Sequence, residues 1–407
     1  MTTSQTSSNC RLRVAIGVTL VATLVTVGLT SFGFAGDKKT QKAPPPPPID
    51  TSKLVWPPPP DVPRISWAAQ AYGEEDVTGA SAKKKKSSWM DKMAGVTLPG
   101  ERGKPRLSKP YGIAVDSKGR IFVADPPQSG VFVFDLENKK VEYRGVQQLK
   151  SPMGLAMDDN DRLFVSDSEQ HVIFCFKPDG GVEGTFGADY LIKPVGIALD
   201  LDNRFLYVVD SSANRIAVFD ADTYKLLRFF GRKSDATMAP GTFDRPSNVA
   251  VDAEGDVYVT DTFNDRIEVF DADGQFLRMW GKVGNVAGSF MRPKGIAVDG
   301  DGHIYVVDSE FNNVQIFNSE GRTLVFFGDR GTNPGTFTLA SGIAFDQKHN
   351  RAIVSEQWVG RIQLFRYKTD AEAKPEYEKL EEQLKKAAAA KAEAEKSAEA
   401  AAKDSAK

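Results

Sequence analysis

One phrase recurs six times along the middle of this 407-residue chain, and it limits the possible folds more than any other feature. It begins as Lys109-Pro-Tyr-Gly-Ile-Ala-Val-Asp116 and returns at Ser151–Asp158, Lys193–Asp200, Arg245–Asp252, Arg292–Asp299 and, degenerately, Leu339–Asp346. A second phrase follows each, reading Ile-Phe-Val-Ala-Asp125 in the first copy and ending at Asp167, Asp210, Asp261, Asp308 and Glu356 in the others. A third ends at Phe134, Phe176, Phe219, Phe270, Phe317 and Phe365, and a fourth closes in an aromatic-Gly pair at Gly187, Gly231, Gly281 and Gly328. Each copy is thus four short β-branched or aromatic strands divided by Asp, Gly and Asn turns.

Equivalent Gly or Asn positions are spaced 42, 42, 52, 47 and 47 residues apart. Four strands in such a period make one blade of a β-propeller. The predicted fold is all-β: a six-bladed propeller over residues 105–368, four antiparallel strands per blade, with Gly on the crowded inner strands. The sixth copy has only three strands, which would leave an open edge. Arg64-Ile-Ser-Trp-Ala-Ala-Gln-Ala-Tyr72-Gly73 ends like the other fourth strands, so residues 64–73 are expected to close blade six.

The flanks read differently. Arg11 and Arg13 precede an uncharged run from Val14 to Phe34, long enough as a helix to cross a bilayer. Residues 1–36 are therefore expected to be a signal peptide or an uncleaved signal anchor. Residues 37–63 hold ten of the 23 prolines in their last 21 positions and read as an extended spacer. Residues 74–104 form a basic linker with a short helix after Lys83–Lys86, and 369–407 an Ala/Glu/Lys-rich helical or disordered tail. The formal charge of −2 is a sum of unlike parts: +4 over 37–104 against −6 over 105–368. An acidic propeller argues against nucleic acid as partner.

The run Pro-x-Gly-Ile-Ala-Val-Asp, then Tyr-Val-x-Asp, then Asn-Arg-Ile-x-Val-Phe resembles the NHL repeat, and the linker Gly328–Phe337 looks like that family's blade-to-blade connection. The resemblance covers about two thirds of the chain and implies a six-bladed propeller, here in a bacterial, exported or membrane-anchored member. It implies no single function, since such propellers occur in enzymes, RNA-binding proteins and extracytoplasmic sensors. It also implies that the second-phrase acid pairs with an Arg five positions on. Asp210–Arg215, Asp261–Arg266 and Glu356–Arg361 keep that spacing. In blade five Asn313 replaces the Arg, and in blade one Gly130 does. In blade two the loop reads as a residue shorter, with His171 in the neighbouring place. Asp125, Asp167 and Asp308 then stand either as unpaired carboxylates with raised pKa, fit for acid/base work, or as turn acceptors satisfied by backbone N–H groups.

The three His residues, His171, His303 and His349, fall at two different strand ends, so no metal site is expected, and no cofactor motif is present. Asp-x-Asp-Gly at 271–274 and 299–302 reads as a turn rather than a calcium loop. Cys175 lies between two Phe residues on a strand and is expected to be an inert thiol. Basic residues precede the first phrase's Gly at Lys109, Lys193, Arg245 and Arg292, on the rim that also carries Gln128, Gln170, His171, Asn214, Phe263, Phe311, Asn312 and Trp358. A rim of cations, amides and aromatics suits a protein, peptide or glycan. The leading expectation is an exported, periplasmic or extracellular binding or scaffold propeller at the cell envelope, monomeric, touching the membrane through its N-terminal segment where that is uncleaved. The alternative is a hydrolase or lyase using carboxylates at the propeller channel.

Overall fold

A computed structural model describes residues 49–78 and 105–404, with side chains to 391. Six antiparallel sheets follow one another as blades. Blade one holds strands Ile113–Val115, Ile121–Asp125, Gly130–Asp135 and Lys140–Arg144. Blade two begins at Pro152–Met157, three at Pro194–Asp200, four at Asn248–Val251, five at Pro293–Val298 and six at Ala340–Asp346. Each first strand is innermost, and the following strands step outward in sequence order. The second and third strands carry the core. Their β-branched and aromatic residues are almost all fully buried, in clusters shared between adjacent blades.

Glycines on the inner strands let neighbouring backbones approach. A Cβ added at Gly112 would lie 2.2 Å from the Met153 carbonyl oxygen, at Gly154 2.3 Å from that of Val195, and at Gly342 2.0 Å from that of Tyr111. The last contact joins blade six to blade one. There Ser355 Oγ donates to Tyr111 O (2.7 Å) and Ser341 Oγ to Pro110 O (2.9 Å).

Blade six takes its fourth strand from Ile65–Ala71, which pairs antiparallel with Arg361–Tyr367. Trp67 Nε1 donates to Gln363 Oε1 at 2.8 Å across this joint. A fifth strand, Val55–Trp56, pairs with Ile65–Ser66, preceded by a 3₁₀ turn at Thr51–Lys53. Trp56 lies 5.9 Å, ring to ring, from both Phe327 and Phe365. The extended spacer expected to run to residue 63 therefore ends earlier. Its tryptophan buries apolar area that a free polyproline segment would leave in water.

The short helix Glu74–Thr78 precedes residues 79–104, which hold Lys83–Lys86 and the expected helix beyond them and lie outside the described residues. So does the apolar run 14–34, and no helix among the described residues is long and apolar enough to cross a membrane. The tail is one helix, Asp370–Asp404. Thr369 and Glu372 form its capping box: the Glu372 amide donates to Thr369 Oγ1 (3.3 Å) and the Thr369 amide to Glu372 Oε2 (3.1 Å). Arg64 Nη2 reaches Asp370 Oδ1 at 2.5 Å, and Ala373 is fully buried.

Candidate functional site

On the axis a cavity of about 220 Å³ is lined by all six inner strands. Its walls are Gly, Ala and aliphatic residues with Phe345, and its one polar side chain is Asn248. No carboxylate lines it. The inner strand alternates between its two neighbouring blades, with Ile113 and Val115 packed on the blade-six side and Ala114 on the blade-two side, while the acid ending each second strand accepts backbone N–H groups of the turn beneath the upper rim, where the inner strands begin.

Those acids are all buried. Asp125 accepts from the Ser108 amide (2.5 Å), the Lys109 amide (3.2 Å) and Gln128 Nε2 (2.9 Å). Asp167 accepts from the Lys150, Ser151, Glu169 and Gln170 amides, and Asp308 from those of Met291, Arg292, Glu310 and Phe311. Of the two readings the sequence left open, these hydrogen bonds support the turn acceptor: the rim loop wraps its N–H groups around each acid. The loop of blade two is also not shorter. Asp167 pairs with Val172 in the register that joins Asp210 to Arg215, and His171 occupies a left-handed position like Asn214 and Asn312.

The arginines do more than pair with the acids. Arg266 Nε meets Asp261 at 3.0 Å, and its fork takes the carbonyls of Met238 (2.6 Å) and Thr242 (2.6 Å) in the blade linker. Arg361, with no exposed side-chain surface, meets Glu356 and takes the carbonyls of Thr332 (2.8 Å), Asn333 (3.1 Å) and Thr336 (2.8 Å). Arg215 meets Asp210 and the Tyr190 carbonyl and stacks 3.8 Å over Phe229. Two residues further into the third strand, Gln315 and Gln363 accept from the Gly288 and Gly335 amides (both 2.8 Å), and Glu268 does the same for Gly241 (2.7 Å). Burial pushes the Glu268 carboxyl up to about 7, with Arg266 opposing.

The rim residues singled out in the sequence divide into two sets. The amides are consumed by the scaffold. Gln128 Nε2 donates to Arg106 O and Gln170 Nε2 to Gln148 O, while Asn214 Oδ1 accepts from the Arg245 amide and Asn312 Oδ1 from the Leu339 amide. His171 Nδ1 lies 2.6 Å from Ile192 O. The aromatics and cations remain outward: Trp358 is 74% exposed and Phe263 53%, and Lys109, Lys193, Arg245 and Arg292 are all exposed. Arg245 sits 5.2 Å over the Phe263 ring. Ile192 and Met291 add exposed apolar surface that sequence reasoning missed. Phe311 is half-buried and lines a side pocket instead.

The other His residues serve the opposite rim. His303 Nδ1 lies 3.0 Å from Asp299, which raises its pKa, and His349 bridges Asp346 (2.7 Å) and Glu137 (3.3 Å) between blades six and one. There too Arg162 and Arg204 join Asp158 to Asp222 across blades two and three, a network whose only sequence signal was an Arg four residues after the first-phrase Asp. Asp271 and Asp299 accept amides of their own turns. No group of three or more His, Cys, Asp or Glu residues among the described residues is placed to hold a metal ion. Cys175 is fully buried, and burial pushes its thiol up.

Comparison with known proteins agrees with this architecture. The SMP-30/gluconolactonase/LRE-like region matches residues 185–285 and the NHL repeat matches residues 290–317. The protein brain tumor of Drosophila melanogaster is 48% identical over 44 residues, 11% of this chain and 4% of that protein. Among solved structures, a Bacteroides thetaiotaomicron protein of unknown function superposes with a TM-score of 0.54 at 18% identity, over 64% of this chain and 70% of that one. An auxiliary nutrient binding protein from the same organism gives 0.52 at 13%, over 65% and 70%. A Xanthomonas campestris gluconolactonase gives 0.50 at 18%, over 65% and 90%. At these identities the structural likeness is one of fold. Its six in-phase copies fold as six blades, so the chain is a six-bladed β-propeller that is similar over residues 290–317 to the NHL repeat.

Proposed function

We propose that this propeller is a binding or scaffold protein of the cell envelope whose upper rim engages a protein, peptide or glycan partner. The observation that carries the reading is the exposed pairing of Phe263 with Arg245, with Trp358 also exposed on the rim loops. Large aromatics beside arginine are the side chains that anchor interfaces, and leaving them in water without a partner costs apolar burial. The apolar run 14–34 supports an exported or membrane-anchored location. Substituting Phe263 and Trp358 together by Ala and capturing partners from envelope extracts tests the reading: loss of the wild-type partners supports it, and their unchanged recovery refutes it.

A second reading, a hydrolase or lyase, is favoured by the match to the gluconolactonase-like region over residues 185–285. Its chemistry would need groups other than channel carboxylates, since the axial cavity has none.

A further inference from the structure

Blade five departs from its neighbours at one place, and the departure leaves a pocket. In blades four and six the first residue of the third strand is Arg266 or Arg361. Each guanidinium meets the second-strand acid and three linker carbonyls, those of Met238, Ala239 and Thr242 in blade four and of Thr332, Asn333 and Thr336 in blade six. Blade five has Asn313 there, paired in the same register with Asp308. Counted from the shared glycines Gly241, Gly288 and Gly335, the matching linker residues are Asn285, Val286 and Ser289.

Those three residues line a pocket of about 140 Å³ together with Asn313, Phe311 and Phe326. The shorter Asn side chain does not span the distance to the linker that an arginine spans. Asn313 Oδ1 is buried in it with no hydrogen-bond partner. Phe326 holds the outer-strand place of Phe229, the ring over which Arg215 stacks in blade three. The other departures are filled from within. Tyr143 packs over Gly130, where an added Cβ would lie 2.7 Å from the ring, and its hydroxyl donates to Gln128 O. Val172 takes the place in blade two as an apolar residue.

We infer that this blade-five pocket binds a guanidinium group supplied from outside the chain, either on an arginine side chain of a partner or on a free ligand. Asn313 Oδ1 and the linker carbonyls accept its N–H groups, Asp308 lies beneath as the counter-charge, and Phe311 and Phe326 face the cation. The inference stands on the blade-five geometry alone and requires no partner at Trp358 or Phe263.

Titration of the whole protein with N-acetyl-arginine methylamide, with free arginine and with the neutral citrulline analogue, followed by calorimetry and ligand-observed NMR, tests it. Saturable binding of either arginine probe is expected, at least about tenfold stronger than citrulline, and the better probe tells a chain-borne side chain from a free amino acid. Asn313→Arg is expected to abolish binding and raise the melting temperature by filling the pocket from within. Asn313→Leu, which needs no new contact to fold, is expected to abolish binding as well, while Trp358→Ala leaves it unchanged. Absence of saturable arginine binding, equal binding of citrulline, or undiminished binding by either Asn313 variant would overturn the inference.

Discussion

Trp67 and Gln363 lie 296 residues apart in sequence and share a hydrogen bond of 2.8 Å, and through it the N-terminal segment becomes the outer wall of the last blade. Gln363 Oε1 also accepts the Gly335 amide, so one side chain holds both the closing strand and the blade linker. Removing residues 49–73 should leave the edge of Arg361–Tyr367 unpaired and uncover Phe365, giving a protein that aggregates or melts well below the intact chain. Trp67→Phe, which loses the bond and keeps most of the packing, should cost about 1 kcal/mol in chemical denaturation.

The ring joint itself is testable at one atom. Gly342→Ala would bring a Cβ to 2.0 Å from Tyr111 O, a backbone atom that cannot swing aside. A loss of about 1–3 kcal/mol or more is expected in urea unfolding. The same change at Gly302, around which an added Cβ meets nothing, should cost less and only through its left-handed φ of 79°.

Much of this was legible beforehand because repetition makes a sequence self-annotating. Six copies fix blade number, strand order and the missing strand, and Tyr72-Gly73 marks the donor of that strand. The rim was harder to read. Asn214, Asn312, Gln128 and Gln170 look like ligand-binding amides in one dimension, but the loops they sit on use those donors and acceptors to tie blade to blade. Asn313 stands in the sequence as a missing arginine, and the local pattern points to Asp308, which the backbone satisfies. The consequence falls instead on the linker, whose approach to the third strand no local pattern reveals.

Arg361 is a buried cation held by Glu356 and three linker carbonyls. Arg361→Ala removes the charge that Glu356 was buried against and leaves those carbonyls without their donor. A loss of about 3–5 kcal/mol is expected in equilibrium unfolding.

Glu268 stands where blades five and six use Gln315 and Gln363. Its carboxyl titrates near 7 in the fold and near 4.5 when unfolded, so the native state holds the proton more tightly. Stability from this group is therefore full below about pH 4.5 and declines as pH rises to about 7. Glu268→Gln should abolish that decline. It should stabilise the protein by about 1–3 kcal/mol at pH 8 and by little at pH 5, as read from melts at the two pH values.

The central claim is that the exposed aromatics of the upper rim contact a partner. Site-specific photo-crosslinking from position 358 in the native envelope, with position 377 on the C-terminal helix as comparison, addresses it most directly. A discrete crosslinked species is expected from 358, absent from 377 and lost when Phe263 is changed to Ala. No adduct at 358, or the same adducts from both positions, would contradict it.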